Sequence, residues 1–161
     1  MTLQYQGACF CKKVKFELED EPLFTQYCHC NKCREIASLS DRTEDKVGYS
    51  FTAAYFKDKF KITLGSNLLK KQARNTADLF LCSACNSLIY GISQDPSKQA
   101  AIGINANNIM FSDGVFPLSF KANKHIWYQD RIGDINDDLP KYKDAPIEQF
   151  GSGQLWENNK L

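Results

Sequence analysis

A mainly β domain of short antiparallel strands with little helix is the fold class that this sequence predicts. Three observations predict it. Val14, Phe16 and Leu18 alternate with Lys15, Glu17 and Glu19, the period-two pattern of a half-buried strand. Short apolar runs of the same kind recur along the chain, separated by turn residues. Helical periodicity, by contrast, is hard to find.

In chain order, extended segments are expected at residues 14–18, 47–53, 60–64, 79–81, 88–92, 101–105 and 125–128. Gly65-Ser66-Asn67 lies between two such runs and reads as a hairpin turn. One or two helical turns are expected over 34–39, and 68–73 reads as either helix or strand. No repeat, low-complexity tract or linker divides the chain. From about Pro140 the sequence becomes polar and turn-rich, with Pro146, Gly151 and Gly153. A domain over 1–146 and a polar tail over 147–161 are therefore expected. Leu155 and Trp156 either dock that tail or leave it partly mobile.

At 161 residues the chain has the length of one domain. Such a domain buries roughly 70% of the surface of its unfolded chain and needs no covalent staples. Twenty basic and 19 acidic residues give a net charge of +1, which argues against nucleic acid as a partner. The clusters Lys12, Lys13, Lys15; Lys57, Lys59, Lys61; and Lys70, Lys71, Arg74 read as solvated strand faces. No apolar run approaches the roughly 20 residues of a membrane span. The start of the chain lacks a basic segment followed by an apolar one, so a cytoplasmic, non-membrane protein is expected. Structural disulfides are rare in that compartment, and the cysteine count, seven, is odd. Thiols at this density in such a chain point to metal.

The cysteines form three clusters: Cys9-Phe10-Cys11, then Cys28-His29-Cys30-Asn31-Lys32-Cys33, then Cys82-Ser83-Ala84-Cys85. Zinc takes thiolates in a tetrahedral shell, and cysteines two or three residues apart reach one ion when the backbone turns between them. Asn86, directly after Cys85, suits the left-handed exit of such a turn. Two divisions of the seven are open. In one, Cys9, Cys11, Cys82 and Cys85 make a closed site and leave Cys28, Cys30 and Cys33 as three ligands with an open fourth position. In the other, Cys30, Cys33, Cys82 and Cys85 form a zinc ribbon. The ribbon leaves three cysteines unexplained, whereas the first division uses all seven.

The run Gly7-Ala8-Cys9-Phe10-Cys11, followed by Val14 and Phe16, resembles the opening motif of the glutathione-dependent formaldehyde-activating enzymes, a family that includes the centromere protein V group. Cys28-His29-Cys30-Asn31-Lys32-Cys33-Arg34 is similar to its central motif, and Phe80-Leu81-Cys82-Ser83-Ala84-Cys85 to its third. His125-Ile126-Trp127 and Asp137-Asp138-Leu139-Pro140 resemble the end of the domain, so the likeness covers about residues 2 to 146. Lys12 and Asn86 stand where the family usually has glycine, and no arginine immediately precedes the third motif.

The resemblance implies the β-tent zinc fold and two zinc ions per chain. It implies a structural zinc on Cys9, Cys11, Cys82 and Cys85. It also implies an open catalytic zinc site on Cys28, Cys30 and Cys33, where a thiol substrate meets the metal. The activity implied is that of a carbon–sulfur lyase resembling S-(hydroxymethyl)glutathione synthase, with glutathione and formaldehyde or another small aldehyde as partners. His29, Arg34 and His125 are the substrate candidates. Bland roles stand beside these: His29 orienting its loop, Arg34 offsetting an anionic centre, and His125 as a strand residue at the core edge. Tyr49, Phe51, Tyr55 and Phe56 are expected in the core. The competing function is a non-catalytic zinc module that binds another macromolecule. Methionine sulfoxide reduction on a related scaffold needs a later catalytic cysteine, and none follows Cys85. The oligomeric state is not legible.

Overall fold

The computed structural model of the protein describes residues 3–39, 48–74, 76–111 and 114–157. The chain folds into two compact units, one of residues 1–25 and 52–121, the other of residues 26–51 and 122–161. The architecture is mainly β, with eleven named strands and a single α-helix among the described residues. Among those residues no helix is long and apolar enough to cross a membrane.

The first unit holds most of the strands. β1 (Gln4–Ala8), β2 (Lys15–Glu19), β5 (Phe60–Leu64) and β10 (Ile109–Met110) form one sheet in the order β10-β1-β2-β5. A second ladder runs from β4 (Ser50–Phe56) through β9 (Ala101–Asn105), β8 (Leu88–Ser93) and β7 (Ala77–Cys82) to β6 (Leu69–Arg74). All these pairings are antiparallel. In β2 the alternation works as expected: Phe16 and Leu18 are buried, while Lys15 faces solvent. Val14, Tyr55, Leu81, Ile89, Ile104 and Phe120 join them in the core. Tyr55 also donates its hydroxyl to the Asp20 carbonyl at 3.0 Å.

Several sequence expectations shift. The ambiguous stretch at 68–73 is a strand, β6, at the sheet edge, where exposed Lys70 and Lys71 guard open backbone groups. Gly65 has φ 76° and starts a 3₁₀ turn, but it makes no hairpin, because β5 pairs with β2 and β6 with β7. Lys12 and Lys13 lie in a turn, and Lys57 and Lys59 in a 3₁₀ turn, so neither cluster is a pure strand face. Phe56 is half exposed rather than core. The strand expected at 47–53 is observed as Ser50–Phe56, and Val47 lies outside the described residues.

In the second unit the end of β3 (Phe24–Cys28) pairs in parallel with β11 (His125–Ile126), setting Tyr27 opposite His125 and Cys28 opposite Ile126. β11 ends two residues earlier than expected because Trp127 adopts a left-handed conformation and opens a 3₁₀ turn. The helix α1 (Asn31–Leu39) begins three residues before the expected start and takes Cys33 into its first turn. The tail is docked on this unit as far as it is described. Tyr142 bridges Leu155, Trp156 N–H donates to the Lys141 carbonyl at 2.7 Å, and Arg131 stacks on Tyr128 and Trp156. Residues 158–161 lie outside the described residues.

Gly7 shows why the opening motif carries no side chain there. It sits opposite Phe16 in the β1–β2 register, and a Cβ on it would fall within the Phe16 ring. Gly7→Ala is expected to cost about 1–3 kcal/mol through overpacking. A thermal melt in reducing buffer with zinc would show a lowered Tm; an unchanged Tm would mean that Phe16 moves aside freely.

Candidate metal centres

The first cluster is built from two backbone turns in the first unit. After β1, Cys9 N–H donates to the Val14 carbonyl at 3.0 Å and Lys12 N–H to the Cys9 carbonyl at 3.0 Å. After β7, Cys82 N–H donates to the Ser87 carbonyl at 2.9 Å and Asn86 N–H to the Cys82 carbonyl at 2.7 Å. Each turn therefore folds a cysteine pair over itself, and Val14 N–H donates to the Cys9 sulfur at 3.3 Å. Both turns exit through a left-handed residue, Lys12 at φ 63° and Asn86 at φ 59°. These are the two positions where the sequence departs from glycine. The left-handed backbone is kept and the side chain is tolerated, at a steric cost that glycine would avoid.

The four sulfurs of Cys9, Cys11, Cys82 and Cys85 lie within 4.8 Å of one another. Cys9 and Cys11 are 3.5 Å apart, and Cys11 and Cys82 3.8 Å. A tetrahedral tetrathiolate with Zn–S near 2.3 Å has sulfur–sulfur edges of about 3.8 Å, so this donor set is of the right kind and size for zinc. Burial pushes the Cys9 thiol up and raises Cys82 to about 12, while the Lys13 backbone N–H draws Cys11 down to about 7.

The second cluster, Cys28, Cys30 and Cys33, lies in the second unit, its sulfurs also within 4.8 Å of one another. Cys28 is buried at the end of β3, Cys30 precedes α1, and Cys33 stands in the first helical turn. Cys33 N–H donates to the Cys30 sulfur at 3.3 Å, and Arg34 N–H to the Cys30 carbonyl at 3.0 Å. Hydrogen bonds from the Cys28 and Cys33 thiols and from backbone N–H groups lower Cys30 to about 3, despite burial. Cys28 is raised well above its ordinary value, first by its bonds to Cys30 and Cys33 and then by burial. For Cys33 the bond to Cys28 pulls downward, but Cys30 and burial outweigh it and the thiol rises to about 12. Cys30, which precedes the helix N-terminus and accepts from these donors, is thus the sulfur whose surroundings favour a thiolate. Among the described residues no fourth cysteine, histidine or carboxylate joins this cluster.

His29 and His125 meet in the same unit. His29 Nε2 is 2.8 Å from His125 Nδ1, and His125 Nε2 is 2.8 Å from Asp137 Oδ2. His29 is therefore engaged with His125 and stands outside the group of sulfurs that could share an ion. Burial first, then His125 and the nearby Arg131 and Arg34, lowers His29 to about 4. Tyr49 and Tyr128 pack on the His29 ring at centroid distances of 4.9 and 5.1 Å, and Tyr27 on His125 at 5.1 Å. The Arg34 guanidinium donates to the Asp130 carbonyl and to Asn31 Oδ1, which ties the start of α1 to the turn after β11. Asp137, Tyr128 and Arg131 are the neighbours that sequence reasoning did not assign to the site. Only Asp137 carried a signal, as part of the acidic run at 137–138. A cavity of about 410 Å³ in the first unit is lined by Phe60, Phe80, Tyr90 and other mainly apolar residues and contains no cysteine or histidine.

Comparison with known proteins adds three findings. The family model described as glutathione-dependent formaldehyde-activating enzyme matches residues 4–130. The crystal structure of a Rhodobacter sphaeroides protein superposes with a TM-score of 0.51 at 21% identity, covering 70% of this chain and 91% of that one, a likeness of fold. No curated protein matches.

Two predictions follow from the geometry. Asn86→Gly removes the left-handed strain and is expected to change stability by no more than about 1 kcal/mol, while Asn86→Val destabilises by more, because a β-branched residue resists positive φ. Equal melts for the two variants would contradict the turn assignment. The second concerns pH in the metal-free protein. His29 is held neutral, with a folded value near 4, against about 6.5 in the unfolded chain. The unfolded state therefore takes up a proton that the fold refuses, and stability falls as pH drops from about 6.5 towards 4. Urea midpoints across that range should fall less steeply in His29→Asn; equal slopes would contradict the assignment.

Proposed function

The chain belongs to the glutathione-dependent formaldehyde-activating enzyme family, and on that premise we propose that it is a zinc-dependent carbon–sulfur lyase that joins glutathione to formaldehyde or another small aldehyde. The observation that carries this reading is the unequal division of the thiols, four gathered in one cluster and three in the other with no further ligand among the described residues. A closed set of four serves structure, whereas three protein ligands leave room for a substrate. In this reading Cys9, Cys11, Cys82 and Cys85 hold a structural zinc, and Cys28, Cys30 and Cys33 hold the catalytic one. Residues 1–146 are the domain and 147–161 its tail.

Zinc bound by the three thiols would supply the charge that keeps an incoming thiol sulfur ionised at neutral pH. The chain's own part is to hold that position open and to orient what enters. Cys30 is the thiol most readily ionised, so it is primed as a ligand without a separate base. His29, between Cys28 and Cys30 in the chain, is itself buried and packs against Tyr49 and Tyr128. Arg34 and Arg131 lie near enough to His29 to lower its basicity; Arg131 is paired with Asp134 at 2.6 Å, and the charge of Arg34 favours the carboxylates of a peptide thiol. The reaction balances without a further reactant. The thiol sulfur forms a bond to the carbonyl carbon, the carbonyl oxygen takes the proton that the thiol gave up, and S-hydroxymethylglutathione results. Holding both reactants together lowers the entropic barrier to that step.

The test is exchange NMR on glutathione and formaldehyde, with and without micromolar zinc-loaded protein. Acceleration by the wild type, reduced at least about 100-fold in Cys30→Ser, is the expected result. Absence of acceleration by a protein that holds both ions would overturn the enzymatic reading and turn the search to a macromolecular partner.

A further inference from the structure

The two histidines are the only ones in the chain, and both lie in one buried hydrogen-bonded line that ends on a half-exposed carboxylate. The direction of that line follows from its end. Asp137 Oδ1 accepts from Lys141 Nζ at 2.7 Å and from Leu139 N–H at 3.1 Å. A carboxylate held by a lysine accepts only, so the 2.8 Å contact at Oδ2 requires His125 Nε2 to carry its hydrogen. Both rings are buried, at 0% and 1% exposure, among tyrosines that favour their neutral forms. His125 Nδ1 then has a lone pair and accepts from His29 Nε2–H, which leaves His29 Nδ1 as an acceptor. The His29 backbone N–H also donates to the Ile126 carbonyl at 3.0 Å. The residue is thus clamped by both main chain and ring, and its sequence neighbours on either side are Cys28 and Cys30.

We propose that Asp137 and His125 are positioning residues which, by fixing the ring of His29 as the Nδ1-acceptor tautomer, set the conformation in which Cys28 and Cys30 present their sulfurs to one ion. This rests on the reading of the three-cysteine cluster as a metal site, and it adds residues that touch neither metal nor substrate. A strap from Leu139 to Tyr142 supports the line. Lys141 Nζ also donates to the Asp137 and Leu139 carbonyls, His125 N–H to the Pro140 carbonyl, and Tyr142 N–H to the His125 carbonyl. Partners bonded directly to a metal ligand are worth about 10–100-fold in metal affinity, and that range bounds what this line contributes through the main chain between Cys28 and Cys30.

The experiment uses the full chain labelled with ¹⁵N-histidine in reducing buffer, where two rings give two readily separated sets of signals. In the metal-free wild type each ring is expected to show a protonated Nε2 and an acceptor Nδ1. Asp137→Asn can turn an amide N–H toward His125 and reverse the line, so the acceptor signature of His29 should be lost or mixed. Lys141→Met disturbs the same strap but keeps the carboxylate, and should leave the tautomer as in wild type. Cobalt(II) titration supplies the second readout. The first equivalent should bind all three proteins alike, and the second should bind Asp137→Asn about 10–100-fold more weakly than wild type. Wild-type ring signals in Asp137→Asn, unchanged affinity for the second ion, or an equal loss in Lys141→Met would each overturn the inference. A wild type that takes up only one ion would overturn the open-site reading first, and this inference with it.

Discussion

Everything in the first unit is arranged around one requirement, that two cysteine pairs far apart in sequence place four sulfurs on one small tetrahedron. Cys11 and Cys82 are separated by 71 residues, yet their sulfurs lie 3.8 Å apart. The loop-closure entropy of bringing such ends together grows only slowly with length, so a metal clip can repay it. What the clip demands is local: each pair must sit where a strand stops and the backbone turns back. β1 stops at Ala8 and β7 at Cys82, and at both places the chain doubles back through a left-handed residue. The neighbouring sheets supply the rigidity. Cys9 and Cys82 are themselves buried with the core residues of these strands, so each turn starts from a fixed point.

The second cluster uses the same ligand type under different constraints. Its sulfurs come from a strand end, a link and the first turn of a helix, and the residue between the first two, His29, belongs to a buried imidazole pair. Buried polar groups are costly unless every donor and acceptor is matched. Here the matching runs from Lys141 through Asp137 and His125 to His29. Burial raises the ordinary value of Asp137, but Lys141 and His125 outweigh it and hold it below.

The cysteine spacings, the β2 alternation and the short apolar runs were legible in the sequence because each is a local pattern. β9 and β5 were found residue for residue for the same reason. β1 and β3 were missed, since Gln4, Gln6, Thr25 and Gln26 hide their period among polar side chains, and Thr25 and Gln26 are buried all the same. The Gly65 turn was misread because a glycine with positive φ reveals a change of direction but not which sheet the chain enters next. The helix start was placed late because Asn31 and Lys32 carry no apolar periodicity. His29 and His125 lie 96 positions apart, so no spacing argument could join them, and Asp137 acquires its role only through that pairing. The two sets of cysteines that the family resemblance implies are the two sets whose sulfurs lie together, but the resemblance did not indicate how the histidines are wired.

The central claim is that seven thiols are divided into a set of four and a set of three, each on its own ion. Zinc K-edge X-ray absorption, combined with native mass spectrometry of protein purified under reducing conditions, tests it most directly. The account predicts two zinc ions per chain and an average shell between three and four sulfurs, completed by lighter atoms. A single ion in a shell of four sulfurs, or two ions with no light-atom contribution and shared thiolates, would contradict it.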